Sequence, residues 1–257
     1  MRHPSEPIVD VRGLCREFPV EAGRRSLLRV LHNSVHPSGR EVARRRALQD
    51  VSVSAGRGDK IAIVGNNAAG KSTLLKIIAG LLRPTRGSVA VHGDMVLLTA
   101  LGLGMIEEVT VLDNTFLYGA LYGVEPARMR LVLDDIMSWA GITGYENAKL
   151  KTLSSGTRAR LAFSVVRHIA ADVFLIDEAM SAGDVTFTAK CRAFFEEPLN
   201  RERTFLVATH DMDLAQSFCA SALWLHEGRL MAFGDSRTVV RQYLEAQAPA
   251  KPDAPRA

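Results

Sequence analysis

Residues 61–74, IAIVGNNAAGKSTL, limit the possible folds more than any other stretch of the chain. Four apolar residues, Ile61–Val64, make a run of strand length, and the apolar spacing from Lys71 onward is helical. The loop between them is Gly65-Asn66-Asn67-Ala68-Ala69-Gly70, followed by Lys71-Ser72-Thr73. Glycine at both ends lets the backbone turn its N–H groups inward, and the following helix N-terminus adds about half a positive charge. A strand, a glycine-bounded loop and Lys-Ser at the start of a helix form a phosphate cradle, the P-loop. Its ligand is read as ATP with Mg²⁺: Lys71 reaches the β- and γ-phosphates, and Ser72 supplies a hydroxyl to the metal. A strand feeding a helix in this way belongs in a sheet covered by helices.

The second element, a strand ending in acids, is VFLIDEA at 173–179. Its apolar run reads as a buried strand, and Asp177 and Glu178 stand at its carboxyl end, where open α/β sheets bind ligands. Side chains alternate along a strand, so Asp177 can turn to the metal while Glu178 polarises a water for attack on the γ-phosphate. A further anion site is suggested by LKTLSSGTRARLAF at 150–163, where Ser-Ser-Gly opens a helical run. One nucleotide does not need two such sites on one chain.

Along the chain, a first alternating strand covers about 9–18, and ALQDVSVSAGRGDKIAIVG reads as strand, turn, strand. The helix from Lys71 is expected to bury Leu74, Ile77, Ile78 and Leu81 and to end at Arg83-Pro84. Residues 110–168 are helical in pattern, with Pro126 in a first turn and Met129, Val132, Leu133, Ile136 and Trp139 on one face. Strand and helix then alternate through VFLI, 185–197, TFLVA, a helix after Asp211, and ALWLH. The resulting expectation is one domain over 1–246, with a basic insertion at 20–46 and a helical subdomain at about 110–168. The Ala/Pro-rich residues 247–257 read as a disordered tail.

The chain has 257 residues, 47% of them apolar, enough for a sizeable core. No apolar run approaches the ~18 residues of a membrane span, and MRHPSEP does not read as a secretory leader. Cys15, Cys191 and Cys219, at unrelated spacings, suggest core residues in a reducing compartment rather than disulfides or metal ligands. Residues 21–46 hold seven arginines against Glu21 and Glu41, a balance of +5, so the rest of the net +4 chain carries −1. That segment suits an anionic surface, lipid headgroups or nucleic acid, or else a solvated loop.

Taken together, GNNAAGKST, LIDEA, LSSGT and the strand-then-His of TFLVATH (204–210) resemble the ATP-binding cassette ATPases. Leu153, Ser154 and Gly156 match the family signature LSGGQ, while Ser155 and Thr157 depart from it. The resemblance implies an α/β fold: a P-loop ATPase core with a mostly parallel sheet, an antiparallel β subdomain and an inserted α-helical signature subdomain. It also implies a homodimer in which Ser154, Ser155 and Gly156, helped by Asp184 of SAGD, cap the ATP held by the other subunit. His210 resembles the switch histidine at the γ-phosphate, and Phe18 the aromatic that stacks on adenine; as a residue of the first strand, Phe18 equally suits the core. The family normally has a glutamine after the P-loop subdomain, but this chain has none between Gln49 and Gln216. LLTALGLGMIEEVTVLDN (97–114) stands there instead. It resembles the branch that exports bacterial capsule, O-antigen and related polysaccharides. The implied protein is a peripheral ATPase subunit on the cytoplasmic face of the inner membrane, docked on a membrane-spanning permease. Anionic lipid contact through 21–46 is expected, and nucleic acid is not an expected partner. A nucleic-acid-linked cassette ATPase and a small-molecule kinase are the alternatives; the first would be stimulated by DNA or RNA, and the second would need no LSSGT.

Overall fold

The computed structural model describes residues 6–19, 44–99, 101–177, 185–197 and 200–247. The chain opens with two antiparallel strands, β1 (Val9–Pro19) and β2 (Arg44–Ala55), and then β3 (Lys60–Val64) and helix α1 (Lys71–Ile78). Strands β4 (Arg86–Val91) and β5 (Met95–Leu98) follow. Three helices come next: α2 (Val111–Leu121), α3 (Pro126–Ala140) and, after a 3₁₀ turn at Leu150–Thr152, α4 (Ser155–Val166). The remainder alternates: β6 (Val173–Asp177), α5 (Val185–Glu196), β7 (Thr204–Ala208) and α6 (Met212–Phe218). It closes with β8 (Ser221–His226), β9 (Arg229–Asp235) and α7 (Ser236–Gln247).

The strands form two sheets. One has the order β2-β1-β4 and is antiparallel; the other runs β5-β6-β7-β3-β8-β9, parallel except for the edge strand β9. Apolar alternation explains the layering. Ile61 and Ile63 of β3 pack with Val173 and Leu175 against α1 and the antiparallel sheet. Ala62 and Val64 face the other way, with Phe174, Ile176 and the core of the helical side. Strands buried on both faces read as continuous apolar runs, which is how the central strands appear in the sequence.

Local signals set the helix ends. Thr110 caps α2 by accepting from the Asp113 amide at 3.0 Å, Pro126 starts α3, and Gly141, with φ 72°, stops it. Met129 and Ile136 are fully buried and Val132 nearly so, with Leu133 and Trp139 half-buried beside them, so the expected stripe forms. Trp139 also stacks on Phe163 of α4, with ring centroids 5.6 Å apart.

Two expectations change. Helix α1 ends at Ile78, not at Arg83-Pro84, because Gly80 adopts φ 72° and turns the chain out of the helix. Leu81 is consequently 67% exposed, and Leu82 packs against the core instead. The basic segment also ends earlier than expected: Arg44–Arg46 are the first residues of β2, paired with β1. The remainder of that segment, LLRVLH included, and the tail beyond Gln247 lie outside the described residues. All three cysteines are free thiols; burial raises Cys191 and pushes Cys219 up to about 12, which suits inert core residues. Among the described residues, no helix is long and apolar enough to cross a membrane.

Candidate functional site

Three neighbouring strands deliver the site. In the order β6-β7-β3, the carboxyl ends carry Asp177, then Thr209-His210, then the loop Gly65–Gly70. This is the end of an open parallel sheet at which ligands bind. Gly65 permits the close packing behind the loop: a Cβ there would stand 2.2 Å from the Leu225 carbonyl oxygen of β8. Gly70, φ 110°, meets the Ala47 carbonyl in the same way at 2.6 Å. From behind, the Gly228 amide donates to the Ala69 carbonyl at 2.9 Å. Tyr243 and Gln247 of α7 both donate to Asn66 Oδ1, at 3.2 and 2.6 Å. The loop is thereby pinned by elements far apart in the chain.

Lys71 is 96% buried, and its ammonium donates to the carbonyls of Gly65 (2.8 Å) and Asn66 (3.3 Å). It also stands 3.3 Å from His210 Nε2. An ammonium only donates, so Nε2 is the accepting nitrogen in that contact. Ser72 Oγ donates to Asp177 Oδ1 at 2.8 Å, joining the start of α1 to the end of β6. A hydroxyl and a carboxylate at this spacing form a hard-oxygen pair suited to Mg²⁺. Phe18, Asn67, Ala68, Ala69, Gly70, Lys71, Ser72 and Thr73 line one cleft, together with Pro19, Arg45 and Ala47. Phe18 is therefore a cleft residue, and the core alternative does not hold for it.

The signature segment forms as a helix start of its own. Ser154 caps α4, its Oγ accepting from the Thr157 amide at 3.2 Å, and the two hydroxyls lie 2.8 Å apart. Thr157, one of the two departures from the family pattern, thus completes the cap. Neither Ser154, Ser155 nor Gly156 lines the P-loop cleft. Arg158 holds the Leu153 carbonyl at 3.0 Å and pairs with Glu107 of the preceding loop. Beside it, the Glu108 carboxyl is held below the usual range by Lys151 and Lys149. Glu178 and Asp184 lie outside the described residues. Strand β5 ends with Leu98 opposite Ile176, and the half-buried Thr99 follows it.

A phosphate loop between strand and helix, an acid on the next strand but one and a second capped helix start define a P-loop nucleotide-binding ATPase. The family model described as "ABC transporter" matches residues 48–181, and the chain belongs to that family. It is an ATP-binding subunit of the cassette type. Its relatives include the O-antigen export system ATP-binding protein RfbB of Klebsiella pneumoniae, 29% identical over 95% of this chain and all of that one. The teichoic acids export ATP-binding protein TagH of Bacillus anthracis is 36% identical over 77% of this chain, which spans 36% of TagH's length. Among solved structures, a dimeric ATP-binding cassette in a post-hydrolysis state with ADP and Pi superposes with a TM-score of 0.69 at 20% identity. That match covers 89% of this chain and 99% of the other.

Proposed function

We propose that this chain is the ATP-hydrolysing subunit of a transporter that exports a lipid-linked polysaccharide, working as a homodimer docked on a membrane permease. The observation that carries the reading is the likeness along nearly the whole chain to a protein named for O-antigen export, joined to the Leu/Gly-rich 97–114 without a glutamine. As a domain, residues 1–246 act as one ATPase unit, with 110–168 as its signature subdomain.

The chemistry follows from the placement of the side chains. Lys71 leaves the Gly65 and Asn66 carbonyls to bind the β- and γ-phosphates, and the loop amides take the remaining oxygens. Ser72 and Asp177 would hold Mg²⁺, which supplies charge to the same phosphates when bound. Glu178, next to Asp177, takes the proton of the attacking water as the bond from the γ-phosphorus to the bridging oxygen breaks. His210, beside Lys71, orients that water or a γ-phosphate oxygen. Ser154, Ser155 and Gly156 of a second copy, with its Asp184, cap the γ-phosphate, so closure of the dimer and completion of the site are one event. Closure can drive the permease only as far as ATP favours the closed state.

Glu178→Gln should keep ATP binding within about twofold, because Lys71, Ser72 and Asp177 are untouched, yet lower phosphate release at least ~100-fold. In cells lacking the native gene it should leave lipid-linked glycan inside. Wild-type turnover would remove Glu178 from this role, and normal surface glycan in a strain without the gene would remove the export reading.

A further inference from the structure

We infer that Arg45 is a nucleotide-binding residue of this site, donating to the phosphate nearest the ribose. It is the middle one of three consecutive arginines, and strand pairing separates it from its neighbours. Arg44 and Arg46 both pair with Glu17 of β1, at 3.4 and 3.5 Å. Arg45 pairs in register with Phe18, makes no ion pair among the described residues, and lines the phosphate-loop cleft with that ring. Alternation along β2 thus leaves one guanidinium of the three on the cleft side.

The position sets which part of the nucleotide it meets. Ala47, two residues further along β2, lies against the phosphate loop, its carbonyl 2.6 Å from where a Gly70 Cβ would be. Two strand residues span about 6.6 Å, and an extended arginine reaches about as far. A nucleotide with its base against Phe18 and its outer phosphates on the loop brings its ribose and α-phosphate past Arg45. One side of the aromatic already carries a cation, since Arg16 sits 4.5 Å from the Phe18 ring centroid. Arg45 therefore adds a charge-assisted contact that Lys71, committed to the outer phosphates, does not provide.

Titration of the purified full chain with ATP and with ADP tests the assignment, with adenosine as competitor. Arg45→Gln should weaken ATP and ADP alike by about tenfold and leave adenosine competition unchanged. Arg45→Lys should recover most of the loss, and Arg44→Gln and Arg46→Gln should bind as the wild type does. An unchanged Kd in Arg45→Gln would overturn the assignment. So would a loss confined to ATP, which would place the contact on the γ-phosphate. Equal losses in the Arg44 or Arg46 variants would reduce it to a general field of the basic strand.

Discussion

At the scale of single residues, the site depends on places where no Cβ fits. Gly65 is the sharpest case, with the Leu225 carbonyl 2.2 Å from a Cβ position that a left-handed φ of 150° would already strain. Gly65→Ala should therefore push the loop off β8, raising the Kd for ATP at least ~10-fold and lowering stability by about 2 kcal/mol or more. Nucleotide titration and thermal melting read the two effects. Retention of both would mean that the loop relaxes without cost. Ala68, at φ 63°, already holds a left-handed conformation at a cost of about 1 kcal/mol, so the loop has little freedom left to absorb a second strain.

At the scale of elements, the basic segment divides in two. Arg44 and Arg46 share the single carboxylate of Glu17 and Arg45 lines the cleft, so the arginines that test contact with an anionic surface apart from the site are Arg24, Arg25, Arg29 and Arg40. Juxtamembrane arginines gain about 1 kcal/mol each from anionic lipid, screened within a Debye length of about 10 Å. Replacing those four with Gln should spare phosphate release in solution and lower co-flotation with anionic vesicles, most at low salt. Flotation that ignores both charge and salt would leave the segment a solvated loop. The division itself was not legible in the sequence, where seven arginines read as one charged run. Which face each takes depends on the pairing of β1 with β2, a contact between residues about 30 apart. The P-loop, Asp177 and the Ser154 cap were legible because each is local: a few adjacent residues carry both the conformation and the chemistry. Strand β9 and helix α7 were not: β9 is an edge strand whose LMAF reads as a short unbroken apolar run, and α7 is mostly polar outside its buried Val239, Val240 and Tyr243. Leu81 and Leu82 exchanged places because a single glycine at position 80 decided where the helix stops.

At the scale of the whole molecule, the chain carries two anion-ready helix starts, and only one of them faces its own cleft. Hydrogen bonds and ion pairs tie the other, through Arg158, Glu107 and Lys151, to the loop that follows β5. In the homodimer proposed above, each subunit holds half of each of two sites, and a second copy supplies the missing halves. That is the central claim, and subunit mixing tests it directly. Lys71→Ala spoils the phosphate loop and Ser154→Arg spoils the signature, so each homodimer should be inactive. A heterodimer of the two pairs the sound loop of one chain with the sound signature of the other, which restores one intact site. Phosphate release from the mixture well above either parent is the expected result. A mixture that forms heterodimers yet releases no more phosphate than its parents would contradict it.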